Sequence, residues 1–418
     1  MEINRDIHLK RIISRKHNGM IKVITGLRRC GKSYLLFNLF ARHLTECGVD
    51  ERHIIKVDLE DRRNKSLRNP DTLLSYIDER ITDDNMHYIL LDEVQFVDEF
   101  EDVLNSFLNV TNADVYVTGS NARFLSKDVI TEFRGRGDEI RICPLSFREF
   151  MSIHQNGDRE SLLYDYLTYG GMPQVALMDS AGMKAEYLSN LFTHTYLRDI
   201  KERYVLSNDS DLSELIDMVA SGIGGLTNPT KIMNTFKSVK HSSISSETIA
   251  KYLSILQDAF LIEKSVRYDI KGKKYIDTPS KYYFTDLGLR NARLNFRQTE
   301  YTHLMENAIY NELRLRGMSV DVGQVQSTKT GEDGKRKRNT LEVDFVCNQG
   351  YKRYYIQSAY ALPTAEKMRQ EMNSLLKIKD GFMKYIIVGT PTPTYQNEEG
   401  IVIMNIYDFL MNENSLAL

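Results

Sequence analysis

The stretch Gly26-Leu27-Arg28-Arg29-Cys30-Gly31-Lys32-Ser33, followed by Tyr34, bounds a short basic loop with glycines and then sets a lysine beside a hydroxyl. Glycines at both ends let the chain curl so that successive backbone N–H groups point inward at an anion. A lysine after the second glycine reaches the β- and γ-phosphates of a nucleotide, and the next hydroxyl offers one oxygen to Mg²⁺. About 60 residues on, the apolar run Tyr88-Ile89-Leu90-Leu91 ends in Asp92-Glu93. Such a loop needs this partner. Asp92 holds Mg²⁺ opposite Ser33, and Glu93 orients and deprotonates an attacking water. The chemistry these residue types would do at this spacing is phosphoryl transfer to water, with Lys32 on the phosphates.

Two further groups bear on that chemistry. Asp114-Val115-Tyr116-Val117-Thr118 ends in Gly119-Ser120-Asn121, and a polar side chain at such a strand end can sense a γ-phosphate. Asn121 or Ser120 takes this role, with Thr118 as a third choice, or else caps a helix over 122–126. Arg134 and Arg136, in Phe133-Arg134-Gly135-Arg136-Gly137, are each either an arginine finger or a solvated basic turn.

The elements that must position these groups follow from pattern. Ile21–Thr25 reads as a buried strand before the loop, and Tyr34–Phe40 has helical apolar spacing after it. A helix over 4–17, strands at 53–59, 86–91, 114–118 and 138–143, and helices over 70–81 and 100–110 complete an alternating series. Strands alternating with helices predict a doubly wound α/β fold around a parallel sheet.

Composition limits the rest. A chain of 418 residues has room for two or three domains, and a net charge of −2 excludes a globally basic nucleic-acid binder but not a local basic face. Cys30, Cys47, Cys143 and Cys347 show no C-x-x-C spacing, which speaks for a reducing cytosol and against a disulfide framework or a zinc site. No signal-peptide core and no bilayer-length apolar run is visible, so a cytoplasmic protein with no membrane contact is expected.

In this order, GLRRCGKSYLL, YILLDEVQFV, VYVTGSNARFLS and RICPLSFREF resemble a bacterial and archaeal family of AAA-class ATPases. That family pairs a P-loop domain with an uncharacterised C-terminal domain. GGMPQV (170–175), YLRDI (196–200), KYYFTDLGLRNA (281–292) and ENAIYNEL (306–313) extend the likeness over nearly the whole chain. The resemblance implies ATP and Mg²⁺ as ligands, hydrolysis to ADP and phosphate, and a strand inserted between the loop strand and the acidic strand. Adenine specificity rests on the resemblance alone.

Beyond an ATPase core at 1–150, a helical lid is expected at 151–208, with Arg198 either facing the phosphates or in a local ion pair. Helices near 211–220, 229–237 and 246–259 and a hairpin at 261–284 read as a winged helix over 209–295. Its third helix and its turn lysines (Lys271, Lys273, Lys274), spanning 246–274, offer contact to nucleic acid or to protein.

Residues 296–418 follow a helix–β–β–β–helix–β order that resembles restriction-endonuclease-like domains. Glu306, Asp344 and Gln357 match the metal-ligand positions, but the lysine position is Ala359, so the fold is expected without nuclease activity. The segment 329–338, with Lys329, Lys335, Arg336, Lys337 and Arg338, is a basic loop suited to phosphate contact. The expectation is an Mg-dependent ATPase whose nucleotide state governs engagement of DNA or an unidentified protein partner. It is a homo-oligomer if the arginine acts in trans. The alternatives are a nucleotide-gated scaffold with little turnover and an ATP-regulated nuclease.

Overall fold

Ile21–Gly26 (β1) is buried at every position, which requires cover on both faces of its sheet. A computed structural model, describing residues 2–119, 135–154, 157–204, 209–240, 244–298, 300–330 and 336–417, shows that cover. Asp6–Ile13 (α1) precedes β1, and a continuous helix over 32–46 (α2) follows it, with a wider turn at Leu35–Phe40. Then come Ile54–Asp58 (β2), Pro70–Asp78 (α3), His87–Asp92 (β3), Phe100–Phe107 (α4), Ala113–Thr118 (β4) and Gly137–Ile142 (β5). The 5-stranded sheet has the order β2-β3-β4-β1-β5 and every pairing is parallel. β4 therefore lies between the loop strand and the acidic strand, as expected.

The period of two sorts the strand residues onto two faces. Val23, Val57, Ile89, Leu91 and Val117 share one core with Leu73 and Ile77 of α3 and Val103, Leu104 and Phe107 of α4. The alternate positions meet α2, where Phe40 packs 4.6 Å from the Tyr116 ring. Lys22 also points this way and is fully buried. Its ammonium bonds Asp114, which also accepts 2.7 Å from the Tyr116 hydroxyl. That pairing is what lets a lysine occupy an otherwise apolar strand.

The chain forms two compact units, Met1–Leu145 with Asp258–Phe260, and Ser146–Gln257 with Leu261–Leu418. In the second, Phe147–Ser152 (α5), Arg159–Tyr169 (α6), a helix over 181–204 (α7), Asp209–Ser221 (α8), a helix over 229–240 (α9) and Ser246–Asp258 (α10) lead to Ile262–Asp269 (β6) and Lys274–Phe284 (β7). Leu287–Arg293 (α11) and Tyr301–Leu315 (α12) follow. Then come Ser319–Thr330 (β8), Arg336–Gln349 (β9), Lys352–Ala359 (β10), Ala365–Leu376 (α13), Met383–Val388 (β11), Tyr395–Gln396 (β12), Ile401–Asn405 (β13) and Ile406–Met411 (α14). The 8-stranded sheet has the order β12-β13-β11-β10-β9-β8-β6-β7. β8-β9-β10 form an antiparallel meander, and β10 pairs parallel with β11 after the α13 crossover. Among the described residues, no helix is long and apolar enough to cross a membrane.

Two features of this unit depart from the sequence reading. The β6–β7 hairpin is not a free-standing wing, because Arg267–Asp269 pair in parallel with Val322–Gln324 of β8. The backbone groups that a free β6 edge would expose are satisfied there. The basic segment 329–338 is not a loop from end to end either. Lys329 pairs with Lys337 and Thr330 with Arg336, so β8 and β9 continue into it. Residues 331–335 lie outside the described residues.

The motifs 170–175 and 281–292 meet inside this unit. Asp286 caps α11 by accepting from Leu289 N at 2.9 Å, and it accepts from Gly171 N at 2.7 Å. A Cβ on Gly288 would lie 2.0 Å from the Tyr169 carbonyl oxygen, so only glycine allows that approach. Asn291 Nδ2 donates to the carbonyls of Leu167 and Thr168 at 3.1 and 2.8 Å. These motifs hold a helix–turn junction together, which accounts for them without any chemistry.

Burial pushes the Asp286 carboxyl up to about 6, against the opposing pull of its N–H donors. A carboxyl raised in the folded state adds stability below its unfolded pKa and loses that addition as pH rises through about 6. Wild type should therefore lose about 3 kcal/mol relative to Asp286→Asn between roughly pH 4 and 7. Urea unfolding of both proteins across that range measures it, and parallel pH profiles would refute it.

Candidate active site

The loop after β1 starts at Gly26, whose φ is 138° and whose missing Cβ would lie 2.2 Å from the Ile142 carbonyl oxygen. Arg29 and Gly31 also take positive φ, at 62° and 95°, and Gly31 starts α2. The loop thereby curls between the end of β1 and the first turn of α2. Lys32 is buried, and its ammonium donates to the carbonyls of Gly26 and Leu27 at 3.1 and 3.2 Å. Arg28 is partly buried and faces the exposed Glu60 at 3.6 Å. Tyr34 is exposed, and buried Cys30 donates its thiol to the Ile142 carbonyl at 3.6 Å.

Asp92 and Glu93 sit at the C-terminal end of β3. The Asp92 carboxylate accepts from the Thr118 hydroxyl, and Ser33 lies near enough to lower its pKa, so the two oxygen groups expected to share a cation are neighbours. Burial raises its pKa, the neighbouring Thr118 and Ser33 hydroxyls lower it, and the nearby Glu93 and Asp58 raise it again, leaving a net upward shift. A buried carboxylate with two acidic neighbours and a hydroxyl partner suits a hard divalent cation. Glu93 has a left-handed backbone, φ 54°, its N–H donates to Thr118 Oγ1 at 3.0 Å, and its carboxylate accepts from Gln95 Nε2.

Two residues here, Arg5 and Gln95, escaped sequence reasoning, and the bridging role of Thr118, a third-choice γ-phosphate sensor by sequence, did too. Arg5 is buried ahead of α1 and donates to the Cys30 carbonyl at 2.8 Å and the Cys143 carbonyl at 2.5 Å, tying the loop to the end of β5. Gln95 holds the carboxylate of Glu93. Thr118 bridges Asp92 and Glu93 rather than merely ending its strand. Thr118→Val should lower turnover about 10- to 100-fold with nucleotide affinity little changed, and Thr118→Ser should restore it. Phosphate release beside nucleotide titration checks this, and full turnover in the valine variant would make the hydroxyl merely structural.

The expected sensors fare differently. Ser120, Asn121 and Arg134 lie outside the described residues. Arg136 is exposed, and its carbonyl accepts from Ile21 N at 2.9 Å. This places it beside the first residue of β1, about 16 Å along the strand from Gly26. The expectation of a finger is corrected in one respect: Arg136 stands at the wrong end of the sheet to serve its own loop.

A family described as "AAA domain" matches residues 18–151, and a domain of unknown function matches residues 160–300. A Haemophilus influenzae protein described as uncharacterized is 34% identical over 98% of each chain. The chain belongs to the AAA-class P-loop ATPase family. A second uncharacterized relative of this AAA protein, from Methanocaldococcus jannaschii, is 29% identical over 97% of this chain and 88% of its own. Among solved structures, the Aeropyrum pernix Orc1 protein in complex with DNA aligns at 13% identity, covering 70% of this chain and 92% of that one, with a TM-score of 0.31.

The AAA protein's second unit gathers its own charged cluster. Lys281 of β7 is buried, with its ammonium 2.8 Å from Glu306 Oε1, 2.7 Å from Glu342 Oε1 and 3.6 Å from Asp344 Oδ1. Tyr283 also donates to Glu306, at 2.7 Å, and Ser358 N donates to Asp344 Oδ2 at 2.8 Å. Gln357 Oε1 lies 3.4 Å from Asp344 N. Glu306, Asp344 and Gln357 thus converge as expected, while Ala359 is a core residue. The lysine in the cluster comes from a different strand, signalled in sequence only by its place ahead of Tyr282-Tyr283-Phe284. Burial alone would lower its pKa, but Glu306, Asp344 and Glu342 together hold it above the ordinary lysine value.

Proposed function

We propose that this AAA protein binds ATP with Mg²⁺ and hydrolyses it to ADP and phosphate. The observation that carries the reading is Asp92, buried at the end of β3 beside Ser33 of the P-loop and followed directly by Glu93. Ser33 and Asp92 would hold Mg²⁺, which neutralises charge on the β- and γ-phosphates when bound. Lys32 exchanges its loop carbonyls for phosphate oxygens, and the N–H groups between Gly26 and Ser33 bind the phosphates. Glu93 takes the proton of the attacking water. Arg136, or else Arg134, supplies the arginine finger; Arg136 would do so from a neighbouring copy, which implies a homo-oligomer. Asn121 senses the γ-phosphate.

Nucleotide state then governs how the second unit, with its lid, winged-helix and restriction-endonuclease-like segments, engages a partner. Topology favours nucleic acid. β6 and β8 run parallel, so the exposed turn lysines Lys271, Lys273 and Lys274 and the basic continuation of β8 and β9 leave the sheet at the same end. A backbone-binding face of this kind attracts phosphates without reading sequence. A second reading, a nucleotide-gated scaffold with little turnover, is favoured by Gln95 holding the carboxylate of Glu93.

Phosphate release from MgATP, with duplex or single-stranded DNA added in turn, tests both. Turnover stimulated by DNA supports the coupled ATPase, and turnover indifferent to DNA moves the partner to protein. Tight ATP binding with no turnover in any condition selects the scaffold.

A further inference from the structure

His53 directly precedes β2 and His87 is the first residue of β3. Ile54 pairs with Tyr88, so the two histidines stand side by side at the N-terminal end of the sheet. Their rings are 4.7 Å apart at 73°. Asp83, on the connection from α3 to β3, reaches in with Oδ2 2.9 Å from His53 Nε2. One ligand atom from each residue can be chosen so that all lie within 4.8 Å of one another.

His87 carries the second, independent observation. It is fully buried, its Nδ1 bonds the Asn85 carbonyl at 2.8 Å, and among the described residues its Nε2 has no hydrogen-bond partner. Bonding to a carbonyl places the proton on Nδ1 and leaves a lone pair on Nε2. A buried imidazole nitrogen without a partner is an anomaly that a bound ion would remove. A carbonyl on the far nitrogen is also the usual orienting contact of a metal-bound histidine.

The carboxylate is held ready in the same way. Asp83 Oδ1 accepts from Asn85 N at 2.9 Å, and Asn112 Nδ2 donates to the Asp83 carbonyl at 2.9 Å.

We propose that His53, Asp83 and His87 bind one divalent transition-metal ion, with Zn²⁺ the class that two imidazoles and a carboxylate favour. Water completes the coordination on the side where Asp83 is partly exposed. The site lies about 16 Å along β3 from Asp92, so it is separate from the Mg²⁺ position. It would clamp the edge strand β2 to β3. The cysteine spacing that argued against zinc speaks only to thiolate ligands.

The full-length chain, stripped with chelator, is titrated with Co²⁺ as a spectroscopic probe and then with Zn²⁺ in competition, beside Asp83→Asn, His87→Gln and Cys47→Ser. The last removes a competing surface pair, Cys47 Sγ and His43 Nε2 at 3.6 Å. The expected result is one Co²⁺ per chain with nitrogen and oxygen ligation, displaced by Zn²⁺. Affinity should fall at least about 100-fold in Asp83→Asn and His87→Gln and stay unchanged in Cys47→Ser. Zn²⁺ should raise the Tm of wild type and not of Asp83→Asn. Should His87→Gln not fold, Asp83→Asn decides, since its side chain is partly exposed and its amide oxygen can still accept from Asn85. No Co²⁺ retention, retention undiminished in Asp83→Asn, or loss only in Cys47→Ser overturns the proposal.

Discussion

Glu93→Gln is expected to abolish MgATP hydrolysis while leaving MgATP bound. Phosphate release should fall about 10²- to 10⁴-fold, the usual contribution of a positioned general base, or roughly 3–5 kcal/mol of barrier. The substitution preserves shape and keeps one oxygen to accept from Gln95 Nε2. The backbone N–H to Thr118 Oγ1 is untouched, so the left-handed turn at residue 93 should survive. Lys32→Ala should behave differently. It removes a buried ammonium that the phosphates would otherwise meet, so nucleotide affinity itself should collapse. Equal loss of binding in both variants would place Glu93 in nucleotide binding rather than water activation. Unchanged turnover in Glu93→Gln would remove it from the chemistry altogether.

The contrast between these residues and the rest of the site shows what a sequence discloses. Gly26, Gly31, Lys32 and Ser33 are readable because their constraints are local: a curled loop and a helix start within one short segment. Asp92-Glu93 is readable because a buried strand announces itself and the acidic pair follows it at once. Arg5, Gln95 and the bridging role of Thr118, which the sequence offers only as a third-choice sensor, are different. Each acts through a partner brought near by the sheet, and a lone arginine, glutamine or threonine carries no pattern that names its partner. Arg136 failed as a finger for its own chain for a related reason. Its residue type was visible, but the end of the sheet it occupies depends on the register of β5 against β1.

The same limit explains the second unit. Its element order was legible from periodicity, including the helix–β–β–β–helix–β run. That β6 would join β8 was not, because parallel pairing between distant segments leaves no local mark. His53 and His87 likewise look like unrelated strand-end histidines until Ile54 is paired with Tyr88.

Lys281 is where this matters most for stability. In wild type its ammonium is the cation among Glu306, Glu342 and Asp344, and only Glu342 has substantial access to water. Lys281→Met keeps a side chain of similar length and removes the charge. It leaves buried carboxylates without their counter-ion, a change that typically costs about 3–5 kcal/mol. The sign of the pH dependence follows from the carboxyls. Burial and the neighbouring Glu306 already raise Asp344 in wild type, and Lys281 opposes them. Without Lys281 the folded-state value of Asp344 rises further. Carboxyls raised in the folded state contribute stability below their unfolded pKa near 4 and lose it as pH rises. The variant's deficit should therefore be small near pH 4–5 and largest near pH 8. The ammonium's own raised pKa keeps it charged, so its contribution is lost only in strong alkali. Adding Glu306→Gln should recover part of the deficit at pH 8, because one uncompensated charge is gone. Urea midpoints of the wild type and the single and double variants across pH measure all of this. A deficit under about 1 kcal/mol with no pH dependence would mean that water, not Lys281, balances the cluster. If Mg²⁺ stabilises Lys281→Met but not wild type, the same carboxylates can take a metal once the ammonium is gone. The ammonium would then be what keeps this carboxylate cluster from binding metal. Mg-dependent DNA cleavage by wild type that Asp344→Ala abolishes would contradict that reading outright.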